Sequence, residues 1–425
     1  MDVLLINVGE LATLSYGDIR KPISGQHMAD RNNLILEPGH SLLLSDGLIS
    51  KIGPEEELLS EFAPDMESGK SNLVEIIDAN GGAIIPGLVD CHTHLIWSGE
   101  RSNEIRMRQK GLSYQDISKR GGGINKTVSS TRKLSLDKLK LIGRKKLQES
   151  IVYGTTTIEA KSGYGLTTES EKKILQATSS LNGKNQNVLP TWLGAHDFPK
   201  DKKISDYMDE LLHEQLPMVA EKKLAKWVDV FCEPGWFTLE QTELIVLKAK
   251  EYGLKSRLHV DEFVDGGGLS LAAELKCSSG DHVGFSNDDS RAKAHEAGTM
   301  QVFLPATPYV LGKNLGNGIK DCIDNEWNFS LATDYNPNCQ TLSLPFIGSL
   351  VTHRLGIDPL AALVACTRNP ASTLNDELVK PVGSLYQGGP ADFNILKSSL
   401  VDYWCQTPGT SPIEKTYFSG HVVNS

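Results

Sequence analysis

The sequence predicts an α/β protein, a (β/α)8 TIM-type barrel with a small β domain formed by both chain termini. Three observations support this class. The middle of the 425-residue chain alternates short apolar stretches with helical stretches, both ends contain only short strands and turns, and polar residues follow the apolar stretches. Eight strands that alternate with helices favour a parallel sheet closed into a barrel over an open sheet.

The two chain ends share a pattern of short strands. Near the N-terminus, two apolar runs at 41–45 and 48–53 flank Asp46-Gly47, which is typical of a hairpin with a two-residue turn. Short runs at 391–396 and 415–418 lie beside glycine-containing turns near the C-terminus. Because chain termini often lie close together, we predict one composite domain from residues 1–82 and 381–425, beside a barrel from residues 83–380.

Eight apolar stretches make up the predicted barrel. Their expected ends lie near Cys91, Lys161, His196, Glu233, Asp261, His282, Pro305 and Tyr335. The clearest helical stretch between them spans residues 240–252. Its inner side is predicted to carry Leu244, Ile245, Leu247 and Ala249. The triple glycine at 121–123 falls in a long loop, where it forms either a flexible turn or a loop that folds over a ligand.

Composition and charge argue against several classes of partner. The chain has 43 basic and 53 acidic residues, and the net charge of −10 repels nucleic acid and anionic lipid. No segment approaches 18 uninterrupted apolar residues and no export signal is recognised, so neither a membrane span nor secretion is expected. The seven cysteines are dispersed without a C-x-x-C pair, which fits reduced thiols in the cytoplasm.

Two histidines alternate at the end of the first predicted strand. His92 and His94 follow the apolar run 83–89, and residues i and i+2 of an extended strand face the same side. Both imidazoles are therefore expected to point into the barrel mouth, close enough to share one ion. An H-x-H pair taken alone is a weak signal.

Two later strands end in further side chains that bind metals. His259 ends the fifth predicted strand, where a neutral imidazole completes a three-histidine set. Asp334 ends the eighth, and a carboxylate buried there requires a cation or hydrogen-bond donors. Taken singly, His259 could equally be a buried histidine bonded to backbone, and Asp334 could cap the following turn.

The joint occurrence of these residues favours a metal centre. The carboxyl ends of all barrel strands meet at one face, so the three strand ends converge there. Strand four ends in Phe231-Cys232-Glu233, without a lysine that could be carboxylated to bridge two ions, which favours a single ion. Three imidazoles and a carboxylate suit zinc and ferrous iron alike. Glu262 lies three residues beyond His259, from where it can reach water on the ion without being a ligand.

The sequence resembles the amidohydrolase superfamily and, within it, the imidazolonepropionase family, over essentially the whole chain. The resemblance rests on residues 86–94, 121–124, 159–165, 193–196, 230–233, 259–262 and 332–337. The first and last segments occur in many amidohydrolases, whereas Lys-Ser-Gly-Tyr-Gly at 161–165 and Gly-Ala-His at 194–196 are more specific to this family.

The resemblance implies a fold, a reaction and a cofactor. The terminal strands would form a β-sandwich, and one divalent metal ion, zinc or iron, would serve hydrolysis of the ring amide of 4-imidazolone-5-propanoate to N-formimidoyl-L-glutamate in histidine degradation. Glu262 is the candidate general acid/base. His282 stands where this superfamily keeps a histidine beside the attacking water, although it could instead be a structural histidine bonded to its own loop. Asp334, besides binding the ion, could accept the water proton.

The propanoate of that substrate requires a cation and hydrogen-bond donors. Arg101, on the loop leaving strand one, has the planar fork that suits a carboxylate. Tyr164, His196 and Asn336 match substrate-contact positions of the family, and Tyr114 is a further candidate. Alternatively, Arg101 is a surface arginine in a charged run, Tyr164 packs a glycine-rich turn and His196 caps a loop.

The chain departs from the family pattern at one place. After Asn336-Pro337 the family usually has glycine followed by serine or threonine, whereas this chain has Asn338-Cys339. A glycine conformation and a hydroxyl donor are thereby lost, although the backbone N–H groups of Asn338 and Cys339 could still bind a ligand, so their contacts stay open.

Two rival functions stay open on the sequence alone. A deaminase acting on a heterocycle would keep the same metal-binding residues, but a neutral ring needs no carboxylate partner such as Arg101. A non-catalytic barrel used as a scaffold would usually have lost metal ligands, whereas all four positions and Glu262 are filled here. The expected partners are a small-molecule substrate and a second copy of the chain, since a homodimer is the commonest closed symmetry.

Overall fold

The structure of the chain is a computed structural model that describes residues 2–64 and 74–424. The chain divides into two compact units. One unit comprises Met1–Asp90, Gln148–Thr157 and Ser343–Ser425, and the other comprises Cys91–Leu147 and Ile158–Leu342. The predicted boundaries at residues 82 and 381 stay a prediction.

Eight strands form one sheet in which neighbours follow one another in chain order, as a (β/α)8 barrel requires. We number these strands β1 to β8: Leu88–Asp90, Thr155–Lys161, Asn187–Ala195, Trp227–Cys232, Lys255–Val260, Ser279–His282, Met300–Phe303 and Phe329–Leu331. The pairs from β3 to β8 are parallel. Beyond β8, Tyr335 forms a parallel bridge to Thr93, and the Asp334 N–H donates to the His92 carbonyl at 3.1 Å. The predicted barrel is confirmed.

Seven of the eight predicted strand ends lie within two residues of the observed ones. The eighth strand ends at Leu331 rather than near Tyr335. The backbone of Asp334 adopts a left-handed conformation, with φ of 51°, which an extended strand does not allow. Asp261 and His282 also have positive φ, at 53° and 74°, so three polar strand ends turn out of the sheet direction.

Helices connect the strands of the barrel. Between Cys91 and Leu342 they span Asn103–Gln109, Tyr114–Lys119, Gly123–Arg132, Leu136–Val152, Thr168–Ser179, Ile204–Glu210, Leu216–Glu221, Leu239–Glu251, Gly268–Glu274, Asp288–Ala297, Ala306–Val310 and Gly318–Asp324. A π-helical turn at Leu211–Gln215 joins two of them.

The helix predicted at 240–252 is observed at Leu239–Glu251 and begins with a capping box between Thr238 and Gln241. Its buried face consists of Thr242, Ile245, Val246 and Ala249. The placement of Leu244 and Leu247 on the inner side was wrong, because these side chains are 56% and 45% exposed. The buried stripe follows the helical period from 242 to 249, and neither leucine falls on it.

The first unit contains two further sheets. The four-stranded sheet has the order Leu48–Pro54, His40–Ser45, Val3–Ile6, Glu75–Asp78. The six-stranded sheet has the order His421–Val422, Ile413–Phe418, Phe393–Leu396, Ile84–Pro86, Leu11–Ala12, Ile35–Leu36. Side chains of both sheets share one core, in which Leu42, Phe393 and Tyr417 are buried. The β-sandwich built from both chain ends is confirmed.

The remaining helices belong to the first unit. The α-helices span Arg31–Leu34, Glu55–Phe62, Leu344–Leu355, Pro359–Ala365 and Arg368–Ser372, and the 3-10 helices span Gly25–Ala29, Asn375–Glu377 and Val401–Cys405. The predicted hairpin is present, with Asp46 and Gly47 at φ of 51° and 77° in its turn. In the described part of the chain, no helix is long and apolar enough to cross a membrane.

Candidate metal centre

The four predicted metal ligands converge at the mouth of the barrel. The Nε2 atoms of His94 and His259 lie 3.3 Å apart. Oδ1 of Asp334 lies 3.5 Å from Nε2 of His92 and 3.7 Å from Nε2 of His94. One ligand atom from each histidine falls within 4.8 Å of the others, and all four residues are buried. The three imidazoles thus lie close enough together to share one ion, and Asp334 lies beside two of them.

Hydrogen bonds to carboxylates orient two of the imidazoles. Nδ1 of His92 lies 2.6 Å from Oδ2 of Asp281, and Nδ1 of His259 lies 3.0 Å from Oδ1 of Asp229. Because a carboxylate oxygen accepts, each Nδ1 carries the proton and each Nε2 is left with a lone pair. In the described part of the chain, Nε2 of His92 is buried without a hydrogen-bond partner. A metal ion would satisfy this atom.

The protonation of the imidazoles also fits a metal ion. Burial, together with the charge of Lys161, pushes the pKa of His92 well below its usual value. Burial and the neighbouring His196 do the same for the pKa of His94. Neutral imidazole is the form that binds a cation. Three imidazoles and one carboxylate form a donor set that suits a divalent metal.

Asp334 is held by a neighbour from outside the predicted set. Thr307 donates its hydroxyl to Oδ2 of Asp334 at 2.5 Å, which leaves Oδ1 facing the imidazoles. Burial raises the pKa of Asp334 to about 6. A nearby cation would offset the cost of burying this charge.

Glu262 and His282 lie beside the ligand group. Oε2 of Glu262 is 3.6 Å from Nε2 of His282, and the His282 ring is 5.6 Å from the His92 ring, measured between centroids. His282 also belongs to a second group, with His92 and Asp334, whose atoms lie within 4.8 Å of one another. Burial, and then the charges of Asp334 and Glu233, raise the pKa of Glu262 well above its usual value. A carboxyl of raised pKa can hold and return a proton.

His196 and Tyr164 stand on the other side of His94. The His196 ring stacks on His94 at 5.0 Å, and Tyr164 lies 5.2 Å from His196. Nδ1 of His196 lies 3.0 Å from the carbonyl oxygen of Gly163 and must donate to it, so Nε2 is an acceptor. Gly163 has φ of 102°, and a Cβ there would lie 2.8 Å from Nδ1 of His196. The glycine is needed for this approach.

The loop that carries Tyr164 is held by a buried carboxylate. Glu171 accepts the N–H groups of Gly163, Gly165 and Leu166 at 2.9, 2.6 and 2.8 Å. Burial raises the pKa of Glu171. The conformation of the Lys-Ser-Gly-Tyr-Gly motif therefore depends on a helix residue that sequence reasoning missed.

Arg101 is buried rather than on the surface. Its Nε and Nη2 atoms donate to the two carboxylate oxygens of Glu104, both at 2.9 Å. Glu104 also accepts the N–H of Gly123 at 3.0 Å, so the triple glycine is tied to the same ion pair. The side chain of Tyr114 lies outside the described residues.

The turn after Asp334 contains Asn338 and Cys339, where the sequence departs from the family pattern. Oδ1 of Asn336 accepts the N–H groups of Asn338 and Cys339 at 2.7 and 3.0 Å. Oδ1 of Asn338 accepts from Arg108 at 2.7 Å, and the Cys339 side chain is buried. These groups therefore hold the turn itself.

One cavity brings most of the predicted site residues together. Among its lining residues are His94, Arg101, Tyr164, His196, His259, Glu262, His282, Asp334 and Asn336. An adjoining cavity of about 480 Å³ shares Glu262, His282 and Thr307 with it. The candidate site thus has ligands, proton-transfer groups and polar contacts around one space.

Sequence reasoning missed the charged side chains inside the barrel. Glu159 and Lys161 of β2, Asp229 of β4 and Asp281 of β6 are buried, where barrel interiors usually carry branched apolar residues. A signal was present, because charged residues at every second position of apolar strands point inward. Their partners could not be read from the sequence.

Relatives of known name match nearly the whole chain. "Imidazolonepropionase" of Symbiobacterium thermophilum is 39% identical over 411 residues, which are 95% of this chain and 92% of the relative. "Imidazolonepropionase" of Solibacter usitatus is 35% identical over 426 residues, which are 99% and 98% of the two chains. No family model matches the chain.

Solved structures with the same fold are much more distant in sequence. A 5-methylcytosine deaminase from Klebsiella pneumoniae is 16% identical with a TM-score of 0.69, covering 100% of this chain and 98% of that one. An adenosine deaminase from Xanthomonas campestris with bound zinc is 14% identical with a TM-score of 0.69, covering 100% and 93%. Together, the barrel and its histidine–aspartate group have the features that the sequence resemblance to the amidohydrolase superfamily implies. Within that superfamily, the chain belongs to the imidazolonepropionase family.

Proposed function

We propose that this protein hydrolyses the ring amide of 4-imidazolone-5-propanoate to N-formimidoyl-L-glutamate, a step of histidine degradation. The observation that carries the proposal is the 35–39% identity, over nearly the full length, to relatives named imidazolonepropionase. The convergence of His92, His94, His259 and Asp334 supports it, since ring-amide hydrolysis at neutral pH requires an activated water.

One divalent ion, zinc or iron, would be held by His92, His94, His259 and Asp334. When bound, such an ion lowers the pKa of water from about 15.7 to roughly 7 and polarises a carbonyl. Because Nδ1 of His92 and of His259 donates to Asp281 and Asp229, the Nε2 atoms of these two histidines would hold the ion. Three imidazoles and a carboxylate do not distinguish zinc from ferrous iron.

Glu262 would transfer the proton, and His282 would act on the water or on the carbonyl. The water oxygen bonds to the ring carbonyl carbon, the ring C–N bond breaks, and Glu262 carries the water proton to the leaving nitrogen. His282, 3.6 Å from Glu262, would orient the water or polarise the carbonyl. Asp334 would be a second acceptor for that proton.

Arg101 would pair with the propanoate of the substrate. The guanidinium is buried, and its Nε and Nη2 atoms donate to Glu104, so it is ordered before a ligand binds and would meet the propanoate through Nη1. Nε2 of His196 offers an acceptor to a ring N–H, since Nδ1 already donates to Gly163. Tyr164 and Asn336 line the same cavity, and Tyr114 is a further substrate contact in the proposal.

The proposal is tested by following ring opening in solution. The protein is stripped of metal, reloaded with zinc or ferrous iron, and given 4-imidazolone-5-propanoate while N-formimidoyl-L-glutamate is measured by chromatography. We expect product with at least one of the two metals, and none from the metal-loaded Glu262→Gln variant. Activity retained in that variant would remove Glu262 from the mechanism.

Two results would overturn the function. Release of ammonia from an amino-substituted heterocycle, without ring opening of the imidazolone, would make the protein a deaminase. Absence of bound metal and of activity after zinc or iron is added would support the scaffold alternative. The homodimer and the cytoplasmic location are also proposals, which size measurement in solution and cell fractionation test.

A further inference from the structure

The interior of the barrel next to the candidate metal ligands is ionic. The side chains of Glu159, Lys161, Asp229 and Asp281 are all 0% exposed. They come from three strands, β2, β4 and β6, at positions that point inward. Charges buried to this degree are costly unless they are paired. The four buried charges are therefore expected to be paired with one another.

The ammonium of Lys161 lies among three carboxylates. Its Nζ is 2.8 Å from Oδ2 of Asp229, 3.1 Å from Oε1 of Glu159 and 3.7 Å from Oδ2 of Asp281. A lysine ammonium is a compact charge that can serve several acceptors at once. In this way, one cation from β2 connects carboxylates on two other strands.

Two of these carboxylates also contact the candidate ligands. Oδ1 of Asp229 accepts from Nδ1 of His259, and Oδ2 of Asp281 accepts from Nδ1 of His92. Each aspartate therefore stands between Lys161 and an imidazole. The contacts run without a break from one ammonium to two predicted metal ligands.

We propose that Lys161 is a positioning residue of the metal centre. Its ammonium holds Asp229 and Asp281 where they can fix the ring orientation of His259 and His92, so that both Nε2 atoms face one ion. The inference rests on the metal centre proposed above. Groups that orient metal-bound histidines contribute substantially to metal affinity although they do not touch the ion.

Arg257 is a second buried cation in this part of the barrel. The Nη1 atom of Arg257 donates to the carbonyl of Cys91 at 3.4 Å and to the hydroxyl of Ser279 at 3.2 Å. Glu159, two residues before Lys161 on the same strand, holds the ammonium from a third direction. Without Lys161, the three carboxylates would lose the ammonium that contacts all of them, and the two aspartates would be held less firmly against the imidazoles.

The test compares metal binding in two lysine variants of the full-length protein. Lys161→Met removes the charge at similar length. Lys173→Met is the matched control, because Lys173 donates to the carbonyls of Arg132 and Leu134 at 3.0 and 2.7 Å, away from the carboxylate cluster. Metal-free proteins are titrated with zinc against a chromogenic chelator, and their folding is checked by circular dichroism. Visible spectra are recorded after loading with cobalt.

We expect K161M to bind zinc about 10- to 100-fold more weakly than the unchanged protein, with an altered cobalt spectrum. K173M should match the unchanged protein in both measurements. A folded K161M with unchanged zinc affinity and spectrum would overturn the proposal. Tighter zinc binding by K161M would also overturn it, since the ammonium would then act only by repelling the ion.

Two further results of the zinc titration also decide the proposal. If K161M does not fold, Glu159→Gln decides, because it loosens the ammonium and leaves Lys161 in place: weaker zinc binding supports the proposal and unchanged binding overturns it. If the unchanged protein binds no zinc, the metal centre itself fails and this inference fails with it. If the unchanged protein binds zinc and K161M binds it equally well, only this inference fails and the proposed function stands.

Discussion

The Nδ1 atom of His92 lies 2.6 Å from Oδ2 of Asp281, and both side chains are completely buried. This bond joins a residue just beyond β1 to a residue of β6, and it decides which nitrogen of His92 can meet a metal ion. The corresponding bond from His259 to Asp229 is 3.0 Å long. The candidate metal centre would therefore depend on two carboxylates that contact the imidazoles at Nδ1 and not at Nε2.

Asp281→Asn should weaken zinc binding about 10- to 100-fold. An amide is a poorer acceptor than a carboxylate, so the proton on Nδ1 of His92 is held less firmly. Competition with a chelator measures the change. Asp289→Asn, at an exposed position, is the control and should have no effect. Equal affinities for both variants would contradict the role of Asp281.

Thr307→Val should also weaken zinc binding, by about tenfold. The variant keeps the shape of the side chain but removes the hydroxyl that donates to Oδ2 of Asp334. Thr307→Ser keeps the hydroxyl and should bind zinc like the unchanged protein. If serine and valine have the same effect, the loss comes from packing and the hydrogen bond has no role.

Arg101→Lys should raise KM for 4-imidazolone-5-propanoate about 10- to 100-fold and change kcat less. Lysine keeps the charge next to Glu104 but loses the planar fork that matches a carboxylate. Steady-state kinetics measures both constants. For an analogue with a neutral amide in place of the propanoate, the KM of Arg101→Lys should be close to that of the unchanged protein. Equal loss with both compounds would place Arg101 outside carboxylate recognition.

Gly163→Ala should lower thermal stability and raise KM. A Cβ at this position would lie 2.8 Å from Nδ1 of His196 and 2.9 Å from the Leu193 carbonyl oxygen. Gly183→Ala is the matched control, because Gly183 has φ of 80° with nothing within 4 Å of the added atom. The control should cost about 1 kcal/mol from backbone strain alone. The same loss of stability in both variants would mean that the contact with His196 is unimportant.

Asp392→Asn should stabilise the protein, and more so as the pH rises. Burial raises the pKa of Asp392 to about 6, against about 3.9 in an unfolded chain. The folded state therefore binds this proton more tightly than the unfolded state. The contribution of this proton to the free energy of unfolding is fully present below pH 4 and is lost as the pH rises through 6.

The difference in unfolding free energy between Asp392→Asn and the unchanged protein should grow by about 2 kcal/mol from pH 4 to pH 8. Asparagine keeps an oxygen that can accept the Ser419 N–H, which Asp392 now accepts at 2.7 Å. Denaturant unfolding at the two pH values measures the difference. A difference independent of pH would show that folding does not change the pKa of Asp392.

Much of the fold and of the candidate site could be predicted from local pattern. The alternation of His92 and His94 predicted that two imidazoles lie close together, although both residues follow the strand Leu88–Asp90 rather than belong to it. The hairpin around Asp46-Gly47 followed from its turn residues. The inner side of the helix Leu239–Glu251 was partly misjudged, because a cluster of apolar residues does not by itself define which stripe is buried. Leu244 and Leu247 belong to that apolar cluster, yet both are exposed.

The order of residues by itself determined the barrel, the terminal β-sandwich and the three strands near whose ends the four candidate ligands lie, because strand and helix periods and turn residues act over short distances. Only the tertiary structure decided that Lys161 lies 2.8 Å from Asp229 and that Arg101 is paired with Glu104. Charged groups gain from burial only when strands far apart in sequence bring a partner within a few ångströms. No local pattern contains that distance.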